Sequence, residues 1–252
     1  MRTQVMGIVN VTPDSFSDGG KYFRPDEALR RVRNMVEEGA DIIDLGGEST
    51  RPGATPLGWA EEWSRLEPVM SGLKGLKGFD GTGVRVSVDT YHMETAERAI
   101  AAGADIINCV DSSAAQRMLP FLDAHPNLEL VIPFRPSASQ PLSPSTIPRL
   151  YLDPMIGFGT TREEDLALLR SIPELVRIGR VLVGVSRKRI VKKLTGEKVT
   201  GKNLGGNLGL AVWCALNGAS VVRVHDVRET VQALRVIDSL AEVSEFFWCG
   251  PH

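Results

Sequence analysis

A (β/α)8 barrel is the fold class this chain predicts, and three observations predict it. One phrase recurs, as GADIIDLGG at 39–47, GADIINCVD at 103–111 and GASVVRVHD at 218–226. In each copy a helical pattern ends at glycine, which tolerates the left-handed conformation that closes a helix, and a β-branched run follows. Eight near-continuous apolar runs can be counted along the chain, and helical patterns fill most of the gaps between them. Parallel strands buried on both faces read this way, and a doubly wound open sheet is the second choice.

In order, the strands are expected at QVMGIVN, DIIDLGG, VRVSVDT, DIINCV, LELVIPF, RLYLDP, VLVGVS and SVVRVH. Helices are expected over PDEALRRVRNMVEEG, HMETAERAIAAG, EEDLALLRSIPELV, GNLGLAVWCALNG and VRETVQALRVIDSL. The fifth connection is different. Residues 135–149, RPSASQPLSPSTIPR, hold four prolines and four serines. Proline lacks the amide donor and clashes one turn back, so a loop is expected in place of the fifth helix. Strands five and six then need cover from another segment or from a partner subunit. No composition shift marks a domain boundary, and residues 1–252 read as one domain.

The chain has 252 residues, 42% of them apolar, and a formal net charge of −2. That balance gives no global attraction to nucleic acid or to a membrane surface. No apolar stretch approaches the roughly 20 residues of a membrane span, and the first residues lack a signal-peptide layout, so the expected compartment is the cytoplasm. Cys109, Cys214 and Cys249 form no paired metal spacing and read as small buried hydrophobes.

Side chains alternate along a strand, so register follows from the repeated glycines. Five residues after each glycine stand Asp44, Asn108 and Arg223, and seven after the third stands His225. Asn10 closes the first strand, Ser87 and Asp89 share a face of the third, Asp153 closes the sixth, and Ser186 leads to Lys188 after the seventh. Each has an ordinary structural reading. Asp89 can cap the helix near His92, Asp153 can serve the turn before Pro154, Asn108 can satisfy a loop amide, and Arg223 can pair with Asp226. Together they form a polar ring at the carboxyl ends of the strands, where barrels carry their active sites.

The loops VTPDSFSDGG and GGESTRPGATP after strands one and two are long for such connections. Arg51 with Ser49, Thr50 and Gly53 offers a guanidinium, hydroxyls and backbone amides suited to an oxyanion or phosphate. No Walker or GxGxxG pattern is present, so a nucleotide cofactor is not indicated.

These blocks resemble the dihydropteroate synthase family over nearly the whole chain. The resemblance rests on GIVNVTPDSFSDGG, DLGGESTRPGA, SVDT, Asn108, LDPMIGFG, GVSRKR and RVHDV, in that order. It implies a (β/α)8 barrel that joins 6-hydroxymethyl-7,8-dihydropterin pyrophosphate to p-aminobenzoate with release of pyrophosphate. It implies that Asp89, Asn108, Asp153 and Lys188 line the pterin pocket, and that Asn10, Arg51, Arg223 and His225 hold the pyrophosphate, with Mg²⁺ near Asn10. Phe16, Asp18, Thr50 and Pro52 would lie in loops closing over the aryl amine beside Lys188, with Asp18, Arg51 and Lys188 catalytic. It also implies a homodimer.

The chain departs from the family's usual residues around strands four to six. Cys109 follows Asn108 where an aspartate is usual, Ile132-Pro133-Phe134 replaces Met-His-Met, Met155 replaces the glycine of Asp-Pro-Gly, and Thr160 replaces the lysine after Gly-Phe-Gly. Two alternatives are therefore weighed: a pterin-binding homologue that is impaired or dependent on a partner, and a synthase acting on a modified pterin or amine. A pterin-dependent methyltransferase ranks last, because such a protein has no need of the RPG loop or of the Arg223 and His225 pair.

Overall fold

The computed structural model describes residues 2–12, 25–48, 55–73, 75–76, 83–135, 142–199 and 201–244, the last four by backbone alone. Eight parallel strands close into a barrel in sequence order. They are β1 Gln4–Asn10, β2 Ile42–Gly46, β3 Arg85–Asp89, β4 Ile106–Asn108, β5 Glu129–Pro133, β6 Leu150–Asp153, β7 Arg180–Gly184 and β8 Val221–Val224. Seven fall inside the runs read from the sequence, and β7 begins one residue before its run, at Arg180. The open-sheet alternative is excluded because β1 pairs with β8, Gln4 opposite Val221.

Around the barrel lie α1 Pro25–Glu37, α2 Trp59–Gly72, α3 Met93–Ala101, α4 Ser112–Met118, α5 Phe121–Ala124, α6 Arg162–Arg170, α7 Ile172–Val176, α8 Arg189–Thr195, α9 Leu204–Leu216 and α10 Val227–Ser244. None of the described helices is long and apolar enough to cross a membrane. The recurring phrase has one physical cause. Gly39, Gly103 and Gly218 sit at φ of 99°, 100° and 90°. In each case the residue after the glycine donates to the carbonyl five residues back, Ala40 to Met35, Ala104 to Ala99 and Ala219 to Cys214. That hydrogen bond closes the helix with a left-handed glycine, and the chain turns straight into the next strand.

Side chains facing into the barrel stack in layers. Gln4, Arg85, Glu129 and Arg180 open their strands at the amino end. Arg85 and Arg180 both donate to Glu129 at 2.5 Å and both reach the Tyr151 hydroxyl, at 3.0 and 3.2 Å. Arg85 also donates to Gln4 at 3.0 Å. Above this polar plug Met6, Ile42, Ile106, Val131, Tyr151, Leu182 and Val221 form a buried apolar layer. The larger core lies outside the strands, under the helices.

The fifth connection bears out the expected loop. Among its described residues the one regular piece is a 3-10 turn at Ile147–Arg149. Arg149 donates to the carbonyls of Leu122 and His125 and so ties the turn to α5. The outward side chains of β5 and β6, Leu130, Ile132, Leu150 and Leu152, are all buried, and Leu142 of the connector packs on the same core. Cover for this flank therefore comes from within the chain.

Candidate active site

At the carboxyl end the inward register changes from apolar to polar. Asp44 lies opposite Ser87, and Asp89 lies opposite Asn108. Arg223 enters from β8 and binds two carboxylates, Asp44 through Nε at 2.6 Å and Asp89 through Nη2 at 2.8 Å. Asn108 donates Nδ2 to the same Asp44 oxygen at 3.1 Å. Three of the ordinary readings are thereby corrected. Arg223 does not pair with Asp226, which is held by Arg187 at 2.6 Å. Asp89 does not cap α3, whose N-cap is His92, and Asn108 serves a carboxylate rather than a loop amide. Asp153 does serve its turn, with Oδ1 accepting from the Met155 amide at 2.7 Å.

Lys188 rises from the loop after β7. Its Nζ donates to the Ile156 carbonyl at 2.6 Å and lies 4.4 Å from the centre of the Phe158 ring. Three aspartates, Asp44, Asp89 and Asp153, thus share the pocket with two cations. Burial lifts the Asp89 carboxyl to about 7 despite the Arg223 guanidinium beside it. The same cause raises Asp153, against Lys188. Burial also depresses the Lys188 ammonium to about 8, against the pull of Asp153. For Arg223 burial opposes the charge, but Asp44 and Asp89 outweigh it, and the guanidinium stays protonated. Asn108 Oδ1 and Ser87 Oγ are buried without a hydrogen-bond partner. A floor of carboxylates and a carboxamide oxygen is rich in acceptors and suits a planar ligand with several N–H groups on one edge.

His225 Nδ1 lies 3.1 Å from Ser186 Oγ, which orients the ring beside Arg223. Asn10 closes β1 opposite Gly46, and a β-carbon on that glycine would come within 3.9 Å of Asn10 Oδ1. Asn10, Asp89, Asn108, Asp153, Lys188, Arg223 and His225 are thus gathered at one end of the barrel. Phe16, Asp18, Thr50, Arg51 and Pro52 lie outside the described residues.

A compact set of possible metal ligands, Glu48, Glu62 and His92, stands to one side. The Tyr91 hydroxyl already donates to Glu48, and the Thr90 hydroxyl to Glu62. Those bonds tie the loop after β2 to α2 and β3. Cys109, beside the floor, is buried, and burial pushes its thiol up to about 12, which disfavours the thiolate.

One residue around the pocket carries no signal of its role in the sequence. Asp165 is buried, and its Oδ1 accepts from the Gly157 amide at 2.8 Å and from the Thr160 hydroxyl at 2.5 Å. In the sequence it is one of three acids in the first turn of α6 and resembles an ordinary dipole-stabilising residue. Only its position at the fourth turn residue, facing back over the loop, sets it apart.

Residues 6–140 and 137–225 match a family described as pterin binding enzyme. The chain belongs to that family. A dihydropteroate synthase of Synechocystis is 36% identical, over 95% of this chain and 90% of its own. Among solved structures, a dihydropteroate synthase of Clostridium difficile determined in the presence of pteroic acid superposes with a TM-score of 0.81 at 34% identity, covering 95% of this chain and 97% of that one. The Xanthomonas albilineans synthase with 4-aminobenzoic acid gives a TM-score of 0.80 at 35% identity, covering 95% and 93%. In this pterin-binding enzyme Met155, beside the pocket, holds φ 61°. A non-glycine residue in that left-handed region costs about 1 kcal/mol, and such strain gathers at functional loops.

Proposed function

We propose that this protein is a dihydropteroate synthase, joining 6-hydroxymethyl-7,8-dihydropterin pyrophosphate to p-aminobenzoate and releasing pyrophosphate. The observation that carries the reading is the acceptor floor of Asp89, Asn108 and Asp153 beneath the cations Lys188 and Arg223. A pterin presents ring amino and amide donors to such a floor, and a carboxylate meets two of them at once. Loss of pyrophosphate leaves positive charge on the pterin methylene. The carboxylates below stabilise that charge, while Arg223 and His225 meet the departing oxyanions. The aryl amine is the attacking group, so no side-chain nucleophile is needed.

In this reading Asn10 and Arg51 join Arg223 and His225 on the pyrophosphate. Phe16, Asp18, Thr50 and Pro52 close over the aryl amine beside Lys188, and Asp18, Arg51 and Lys188 are the catalytic side chains. Mg²⁺ is proposed near Asn10. Its carboxamide is a hard oxygen donor, and Mg²⁺ characteristically takes only one or two protein oxygens besides phosphates and waters. When bound, the ion would neutralise the leaving group.

A homodimer is proposed on the far wall of the barrel. Trp213 and Leu216 of α9 are 46% and 65% exposed, and Val236 and Leu240 of the adjoining α10 are 60% and 65% exposed. A second copy would bury this apolar face. A partner over β5 and β6 has no such support, since the connector covers them. The proposed location is the cytoplasm, where the free thiols of Cys109 and Cys214 stay reduced.

Purified protein incubated with dihydropterin pyrophosphate and Mg²⁺ is expected to release pyrophosphate only when p-aminobenzoate is added. Asp153→Asn and Arg223→Ala should abolish it. A folded protein that binds the pterin without any release would replace this reading with a non-catalytic pterin-binding one.

A further inference from the structure

The peptide unit between Ile156 and Gly157 is held at both ends by charged side chains. Its carbonyl accepts from Lys188 Nζ at 2.6 Å, and its amide donates to Asp165 Oδ1 at 2.8 Å. A cation and an anion on opposite ends of one peptide dipole polarise it cooperatively. The loop geometry is made for this contact. Gly157 has φ 80°, and a β-carbon there would come within 3.0 Å of Lys188 Cδ. Phe158 then lays its ring against the ammonium.

Asp165 is not needed to start its own helix. Thr161 and Glu164 already form a reciprocal cap at the amino end of α6, at 3.2 and 2.7 Å. Nor does loop order require its charge, since a neutral amide oxygen accepts the same two hydrogen bonds. Its second oxygen, Oδ2, is buried with no partner. A bare buried carboxylate oxygen is costly unless the charge serves something nearby.

We propose that Asp165 is a positioning residue for Lys188, acting through the Ile156–Gly157 peptide to keep the ammonium oriented and charged in the pocket. The groups facing Lys188 are Asp153 from β6, Arg223 from β8, Asp165 from α6 and Asp89 from β3, with the Phe158 ring against it. Asp153 and Asp89 lie on the substrate side, where a ligand would share them. Asp165 lies behind the loop and holds its influence on Lys188 through binding and release. The inference rests on the proposed function only in taking Lys188 as a pocket residue.

The test is a titration of the substrate-free protein carrying ¹³Cε-labelled lysine, with the Lys188 signal assigned by its loss in Lys188→Arg. Asp165→Asn keeps the acceptor oxygen and removes the charge, and is expected to lower the Lys188 midpoint by roughly one pH unit. Thr160→Val removes the hydroxyl's bonds to Asp165 and to the Gly157 amide but no charge, and should leave the midpoint in place. An unmoved midpoint in a folded Asp165→Asn protein overturns the proposal. A second reading needs no variant: the Gly157 amide signal of the wild type should move with the Lys188 midpoint, and an amide blind to that titration overturns the proposal as well. Neither measurement involves turnover, so both decide the matter even in a protein without synthase activity.

Discussion

Arg223 Nε stands 2.6 Å from Asp44 Oδ2, so β8 and β2 are joined over β1, which lies between them, by a pair whose carboxylate is fully buried. Removing the cation would leave Asp44 and Asp89 facing each other in a dry floor. Arg223→Ala is expected to destabilise the protein by about 3–5 kcal/mol. Adding Asp44→Asn to that variant should recover part of the loss, and urea unfolding of the two single variants and the double would measure the coupling. Equal and additive losses would contradict the pairing.

Protonation of Asp89 links the site to folding. Its folded carboxyl titrates at about 7, against an ordinary value of 3.8, so the folded state binds more protons between those values. Stability from this group is fully present below about pH 4 and is lost as pH rises towards 7. Asp89→Asn should flatten that decline, by up to about 4 kcal/mol. Lys188 has the opposite slope. Its folded value of about 8 lies below the ordinary 10.5, so the unfolded state binds more protons and stability rises between them. Stability measured across pH 4 to 10 in wild type, Asp89→Asn and Lys188→Met would separate the two windows.

At the other mouth of the barrel, Glu129 pairs with both Arg85 and Arg180. These side chains are partly exposed, so Glu129→Gln is expected to cost about 1–3 kcal/mol. The folded fraction should keep its KM and kcat, because the plug lies a whole strand length from the pocket. A changed KM in a folded sample would place the plug in communication with the site.

The repeated glycines allow strain to be separated from crowding. A β-carbon on Gly103 would meet nothing within 4 Å, whereas one on Gly39 would meet Val231 Cγ1 at 3.2 Å. Gly103→Ala should therefore cost only the left-handed backbone term, about 1 kcal/mol, and Gly39→Ala more. Melting temperatures of the two variants would rank them.

The strands are legible in the sequence because β-branched runs buried on both faces leave a strong local signal, and the glycines fix their register. Four helices stay hidden for local reasons. α2 carries Pro68 inside it, α4 and α5 are short and separated at Pro120, and α8 is short and leads into a glycine at φ 75°. In the site, strand period places Asp44, Asn108 and Arg223 on one face, yet period says nothing about which neighbours bond across a barrel. Nearness along the chain favours Asp226 for Arg223, three residues on, while its partners lie 179 and 134 residues away. Asp165 stays hidden for the same reason, since its meaning depends on a loop folding back over it.

The plug of Glu129, Arg85, Arg180 and Tyr151 fills the amino end of the barrel, so a ligand of the floor is expected to arrive from the carboxyl end. In the proposed reaction the pterin, seated against Asp153 and Asn108, would then enter before the aryl amine, and the joined product would leave by the same end. On that proposal the pocket is a queue with a single door, and mimics of the aryl amine are expected to bind more tightly once the pterin seat is filled.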